Sequence, residues 1–578
     1  MFNRYFHDEL TQLHELGAEF SKAHPAVAPM LSGPSADPDV ERLLEGTAFL
    51  TALLRQKLDD EFPEITHDLM QLLQPHYLRP IPSSTLIAFN PKPTLNQPMT
   101  IPAGVHVASV PIEGTSCLFR TCYDVELHPL TILDAGYSHL PGRLPLITVH
   151  MELKGLNVST WKPEKVRFFL SGDYVNATDI YSLLRTRLKR IILKPQGGAA
   201  SCILAPDCLK PLGFSDQEAL IPYPAPAYPG YRLLQEYFIL PQKFLFLELT
   251  GWENWANRGA GARFELIFEL EDAPVPVPRV QRGSFTLAVT PAINIFPREA
   301  DPILLDHRKT DYLVRPDGSN RAHYHTYSVE QVTGYLQGTA EERAYVPYEF
   351  FRPDAQENPV YHTARKGSPL HEGFDVYLSV AYPRGTGAMP VQETLSINLL
   401  CTNGSLPGRL QTGDLRMPTD SSPEFADFSN ILPPTASVQP PLGANLHWRL
   451  LSHLSVNYRS LARTENLKAL LELYIFPDSR DQSAVLANKK RINGIQGVDA
   501  KPSSRLSSGS LIRGLEITVK MRDDHFAGQG DLYLFGCVLD HFLGGYTSLN
   551  SYTALRIHDI VTGKVLTWPA RLGTRHLL

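Results

Sequence analysis

The stretch Asp37-Pro38-Asp39-Val40-Glu41-Arg42-Leu43-Leu44-Glu45-Gly46-Thr47-Ala48-Phe49-Leu50 decides how this chain begins. Asp37 can cap the free amides of a helix, Pro38 suits the first helical position, and Asp39 sits at the positive end of the helix dipole. Val40, Leu43, Leu44, Thr47, Leu50, Leu54 and Leu58 then return every three or four residues, the spacing of one apolar helix stripe. Upstream, Phe6, Leu10, Leu13, Gly17 and Phe20 form the near-heptad seam of another amphipathic helix, which ends before Pro25. Downstream, Ile65, Leu69, Leu72 and Leu73 predict a third, shorter helix that stops at Pro75. Leu78-Arg79-Pro80-Ile81-Pro82 reads as extended, because a residue before proline avoids the α region. Residues 1–82 are thus read as a helical segment.

The pattern changes after residue 83. Thr85–Phe89, Met99–Ile101, Lys165–Leu170, Phe244–Leu249 and Ala262–Leu270 are strand-like, the last with apolar residues mostly alternating with charged ones. Ile101-Pro102-Ala103-Gly104-Val105 predicts a type II turn with Pro102 second in the turn. A helix is expected near Ala177–Leu193, and the four prolines of Ile221–Gly230 predict a surface loop. Residues 83–285 and 286–440 are read as two β-rich domains, with a proline-rich junction near 431–441. Residues 441–578 read as an α+β domain. It holds a helix bearing Leu467, Leu470, Leu471 and Tyr474 and a half-buried strand bearing Leu515, Ile517 and Val519. A helix bearing Leu532, Phe535, Val538, Leu539 and Phe542 is expected to pack on that strand, followed by a hairpin around Thr562-Gly563. The fold class is therefore α+β and multi-domain.

Composition narrows the function. With 54 Lys+Arg against 60 Asp+Glu, the net charge of −6 argues against a general nucleic-acid binder. The start of the chain has no apolar leader and no stretch is apolar enough to span a bilayer, so a cytoplasmic protein without membrane insertion is expected. The 48 prolines imply short strands and many loops. The sequence has no phosphate-binding loop, HExxH, GxSxG or CxxC pattern. Cys117/Cys122 and Cys202/Cys208 are spaced too widely for a zinc knuckle and read as buried thiols. His323-Tyr324-His325 puts two imidazoles on one strand face but indicates no third ligand, and Asp523-Asp524-His525 reads as a solvated turn. No enzyme, cofactor or metal is expected.

What remains is the apolar helices at both ends of the chain. A segment of about 80 residues sits near the size at which a single core supplies little net stability. A loop of more than ten residues separates its first two helices, and the near-heptad seam suits insertion among helices of other chains. The candidate partner-facing residues are Phe6, Leu10, Leu13, Phe20, Leu43, Leu44, Leu50 and Leu54.

Several stretches resemble one family in its order along the chain. They are Glu9–Leu13 with Gly17–Phe20, Asp37–Leu50, Pro75–Ser83, Thr290–Phe296, Cys401–Pro407, Trp448–Tyr458, and Phe535–Leu543 with Tyr546–Ser551. Together they resemble the TssF family, a baseplate subunit of the type VI secretion system, similar to wedge proteins of contractile phage tails. The resemblance implies a structural role in a bacterial contractile injection machine. It implies wedges built with TssG, TssK and TssE, a pair of TssF chains around one TssG, and closure around the VgrG spike to prime the Hcp tube and sheath. It also implies docking to the inner-membrane complex through partners, and it carries over no catalytic residues.

A second reading, from another class, is a polysaccharide-binding or polysaccharide-processing protein, since β-rich multi-domain chains with many aromatics often hold sugars. A glycosidase would need two carboxylates facing across a cleft, and no motif here places them.

Overall fold

The computed structural model describes residues 2–24, 38–196, 200–224, 227–272, 276–318, 320–336, 338, 341–348, 359–368, 373–382, 392–442, 449, 463–476, 481–507 and 510–573. Asp37, the side chains of Leu58, Ile65 and Leu72, and all of Trp448–Tyr458 except Arg449 lie outside the described residues. The chain gathers into two compact units, Met1–Gln74 with Leu442–Leu451, and Pro75–Pro441 with Ser452–Leu578.

The first unit is built on helices α1, Phe2–Ala23, and α2, Pro38–Leu73. Pro38 opens α2 as its fixed φ allows. The two helices expected between residues 38 and 73 are one: α2 runs on through Pro63, whose nitrogen has no hydrogen to donate to the helix.

The second unit is β-rich. Among its described residues a six-stranded sheet holds Ser84–Pro91 between Val289–Ile293 and Ala426–Asn430, joining segments on both sides of residue 285. A five-stranded sheet is centred on Arg263–Leu270, and a four-stranded sheet pairs Val166–Leu170 with Phe246–Leu249 and Phe285–Leu287. A long sheet is built around Glu393–Thr402 and His325–Leu336. The positive φ at the Pro102 turn falls on Gly104, at +92°, and not on Ala103 as a type II turn with Pro102 second would need.

Four helices of this unit meet around one buried carboxylate: α3, Tyr174–Thr186; α4, Pro229–Ile239; α6, Gln482–Asn493; and α7, Gln529–Gly545. Between α4 and α6 in the chain lies α5, Thr464–Glu472, whose Leu467, Leu470 and Leu471 are buried. Asp173 caps α3 by accepting from the Asn176 amide at 3.3 Å, and Asp481 caps α6 by accepting from the Ala484 amide at 3.0 Å. The helix expected to reach Leu193 stops at Thr186. Leu188–Pro195 is a strand that places Ile191 and Leu193 inward, and Arg190 reaches Glu269 of the neighbouring strand at 2.8 Å. The loop expected over 221–230 is half-buried where described, and Pro229 opens α4.

The C-terminal sheet orders β1, Ile495–Ser507, β2, Ser510–Met521, β3, Ser551–Asp559, and β4, Val565–Thr567. β3 and β4 form the hairpin expected around Gly563, which takes φ +73°. Along its backbone α7 adjoins α3, α4 and β3, the strand paired with the expected partner β2. Gly536 explains part of this arrangement, because a Cβ there would lie 2.3 Å from Trp568 and 2.8 Å from Ile557 of β3.

Candidate partner interface

On α2, one residue advances about 100° around the axis, so Leu43, Leu50 and Leu54 lie within about 20° of one line. Ala48 and Ala52 lie about 140–180° away, on the opposite face. The structure buries the alanine face completely and leaves Leu43 71%, Leu50 62% and Leu54 62% exposed. The small residues allow close approach; on α1, Ser21 is buried, its hydroxyl bonded to the Gly17 carbonyl at 2.8 Å. Arg55 pairs with Glu9 at 2.6 Å and His14 with Glu41 at 2.9 Å, which sets the two helices antiparallel. Thr47 and Thr51 donate their hydroxyls to the Leu43 and Thr47 carbonyls, at 2.8 and 2.9 Å, so they need no outside acceptor.

The expected interface residues therefore divide. Phe20, Leu43, Leu50 and Leu54 are exposed, while Phe6, Leu10, Leu13 and Leu44 are half-buried. Leu16, Phe49 and Leu53, which the heptad reading passed over, are exposed as well and widen the apolar arc of the hairpin. Leu53 and Phe49 lie about 80–120° from the Leu43 line, which is why a single-stripe reading missed them.

The residues that could carry chemistry are held by local contacts. All six cysteines are free thiols, and burial raises the Cys117 and Cys122 thiols to about 11 and about 12, which keeps them protonated. His323 lies in a short 3-10 turn and His325 opens the next strand, so the two imidazoles do not share the strand face expected of them. His323 Nδ1 meets the Thr115 hydroxyl at 2.7 Å. Arg522 holds Asp524 at 2.7 Å, and His525 Nδ1 meets the Lys490 carbonyl oxygen at 2.9 Å. Among the described residues no three His, Cys, Asp or Glu side chains are grouped to hold a metal ion, and no helix is long and apolar enough to cross a membrane.

The second unit spends its buried charge on structure. Both oxygens of Asp531, which is fully buried, are occupied. Oδ1 accepts from Tyr174 at 2.7 Å and Tyr237 at 3.0 Å; Oδ2 accepts from Arg491 at 3.0 Å and from the Ala527 amide at 3.1 Å. Glu236, also fully buried, pairs with Lys243 and accepts from the Leu220 and Ile221 amides at 2.7 and 3.1 Å. Burial lowers the Lys243 ammonium pKa, opposed by Glu236.

A multi-sheet body locked by internal polar hubs, with a helical hairpin that keeps its largest apolar side chains outward, is the build of a scaffold subunit working by contact. The chain belongs to the TssF family of the type VI secretion system, whose family model matches residues 1–575. It is similar to the type VI secretion system component TssF1 of Pseudomonas aeruginosa PAO1, 31% identical over 621 residues and covering 99% of this chain and 98% of that one. It is also similar to a chain of the TssK-TssF-TssG baseplate subcomplex solved by cryo-electron microscopy. There the TM-score is 0.77 at 30% identity, covering 93% of this chain and 99% of the other. A chain of the type VI secretion system baseplate complex matches over 100% of both chains, with a TM-score of 0.62 and 29% identity. The protein is a structural baseplate component of that system.

Proposed function

We propose that this chain is a baseplate wedge subunit that joins TssG and TssK, and that its N-terminal hairpin is the surface lent to a shared helical bundle. The observation that carries the reading is the outward line of Leu43, Leu50 and Leu54 opposite an alanine contact face. Burying one such leucine against a partner is worth about 1.5–3 kcal/mol, so three of them make a substantial anchor. The relatives found in TssK-TssF-TssG and whole-baseplate structures support the two partners. TssE, a second TssF copy, the VgrG spike and the Hcp tube complete the proposed assembly, in the cytoplasm and docked to the inner-membrane complex through other subunits. The division of the chain into segments 1–82, 83–285, 286–440 and 441–578 is proposed as a guide to truncation only.

The test is to express residues 1–80 alone and together with TssG, and to compare circular dichroism and proteolysis. The expected result is a fragment that gains helix content and protease resistance when TssG is present. A fragment that is fully helical, melts cooperatively and ignores TssG would overturn the shared bundle.

A further inference from the structure

The C-terminal sheet ends in a projecting tip. β2 pairs with β3 only from Arg513 to Met521, so the pairs Arg505–Ile512, Leu506–Leu511 and Ser507–Ser510 extend past the third strand as a two-stranded ribbon. Leu506 and Leu511 are directly opposite each other and are 72% and 68% exposed. Cross-strand partners share a face, so the two leucines make one apolar knob. Arg513, two residues along β2 from Leu511, shares that face, while Arg505, next to Leu506, falls on the other; neither is in an ion pair among the described residues. A bare two-stranded ribbon is marginal in water.

At the other end of β2, the same unit carries a groove of about 580 Å³. Leu183, Phe526 and Leu566 give it apolar walls, and four carboxylates line it, Asp179, Asp523, Asp559 and the Asp524 that Arg522 holds at 2.7 Å. Two cations line it as well: Arg187 is paired with Asp272 at 3.1 Å, and Lys564 donates to the neutral Gln529 at 2.7 Å. Among the described residues Asp179, Asp523 and Asp559 are in no ion pair; Asp179 accepts from the Gly530 amide at 2.9 Å, and Asp559 from the Val561 and Thr562 amides at 3.1 and 3.2 Å. An apolar knob with Arg513 on its face and an apolar groove whose four carboxylates outnumber its two cations are complementary in shape class and in charge sign.

The groove starts at Asp523, two residues past the end of β2 at Met521, and Leu511 lies ten residues back along the strand from that end. At about 3.3 Å per residue that is roughly 30 Å, so a chain's knob cannot reach its own groove. We propose that the Leu506–Leu511 knob of one copy seats in the Asp179–Asp523–Asp559 groove of a second copy of this chain. Such a contact uses different patches on the two partners, so it is heterologous, and it propagates head to tail until it closes into a ring. It is separate from the N-terminal hairpin and does not rest on the reading of that hairpin.

The experiment is sedimentation velocity of the full-length chain at rising concentration, in a Leu50→Asp, Leu54→Asp background that removes the hairpin's apolar face. The parent is expected to self-associate and to do so more weakly at high salt. Arg513→Glu and Asp523→Lys should each weaken association ten-fold or more. Mixing the two variants should restore association, because one of the two unlike contacts keeps its native charges and the other has them exchanged. Arg513→Glu combined with Asp523→Lys in one chain should regain association, since the charges are exchanged. Circular dichroism identical to the parent shows that each variant is folded. A parent that stays monomeric at its highest soluble concentration overturns the proposal. So do folded single variants that associate like the parent, and so does a combined variant that regains nothing.

Discussion

Helices α2 and α7 are both rich in leucine and phenylalanine, and the molecule treats them in opposite ways. α7 is enclosed almost all round: Leu532, Leu534, Phe535, Val538, Leu539, Phe542 and Leu543 are all buried. It even lacks side chains where neighbours come closest, since a Cβ at Gly530 would lie 2.3–2.4 Å from the Thr178 and Asp179 backbone of α3. α2 buries alanines and turns its leucines out. Apolar residues on a helix therefore state that a face will be covered, without stating whether this chain or another covers it. The burial of the small residues is the sign to follow: a helix whose alanines are packed and whose leucines are bare presents an apolar face that stays exposed.

The comparison is broken most forcefully at Asp531, which holds α3, α4, α6 and α7 together. Asp531→Ala would leave the Arg491 guanidinium buried without its carboxylate, a loss of about 3–5 kcal/mol. It would also strip the Tyr174 and Tyr237 hydroxyls of their acceptor, at about 1–3 kcal/mol each. That rivals the whole stability of a typical domain, so the expected outcome is a body that does not fold, seen as loss of the cooperative thermal transition. Phe542→Ala comes next. Its ring is fully buried beside Tyr231 and Tyr546, and removal should cost about 3–5 kcal/mol through the cavity left behind. The Tyr228 hydroxyl bonds the Phe542 carbonyl oxygen at 2.6 Å, a main-chain contact that the substitution preserves. The variant should therefore fold with a clearly lowered Tm, and an unchanged Tm would mean the packing assigned to α7 is wrong.

Both helices could be read from the sequence, as could the alternation along β2 and the hairpin around Gly563. Their signals are local: spacing of apolar residues, a capping aspartate, a glycine in a turn. The polar hub could not be read, because Tyr174, Tyr237, Arg491 and Asp531 come from four segments that only the fold brings together. The α3 boundary was misplaced because Leu188–Leu193 has no helix breaker ahead of it, and pairing with Arg263–Leu270 decides its state. α4 was hidden by the prolines before it, although Pro229 is a helix-opening residue. For the interface, the leucine stripe was legible and its exposure was not: the deciding residues were Ala48 and Ala52, which periodicity treats as neutral.

A smaller effect, confined to the body, separates it from the hairpin by pH. His541 on α7 stacks on Phe214 with ring centroids 4.2 Å apart, and its Nε2 lies 2.7 Å from Arg571 Nη2. Burial, followed by the nearby Arg571 charge, lowers its pKa from 6.5 to about 3. The unfolded chain then binds a proton near pH 6.5 that the folded chain refuses until about pH 3. The stability of the body is therefore fullest above pH 6.5 and declines as pH falls toward 3. His541→Gln keeps an acceptor for Arg571 but cannot be protonated. Urea midpoints measured from pH 7 to pH 4 should fall less steeply in the variant than in the parent, and parallel slopes would show that His541 is not the group refusing the proton.

The smallest expected effect on the fold is also the sharpest test of the comparison. Leu50 is mostly exposed and touches no core, so Leu50→Asp should change the Tm of the body by no more than a surface substitution does, within about 0.5 kcal/mol. A carboxylate forced into a covered apolar seam is another matter. Losing one buried leucine is worth about 1.5–3 kcal/mol, roughly ten- to a hundred-fold in affinity, and the uncompensated charge adds to that. Capture of TssG by the full-length variant should fall by at least that factor, while Ala48→Leu, which overfills the packed face between α1 and α2, should unsettle the hairpin itself. The two substitutions on opposite faces of one helix thus separate the two duties assigned to it. If Leu50→Asp captured TssG as well as the parent, the outward leucines would have no part in the bundle, and α2 would lose its contrast with α7.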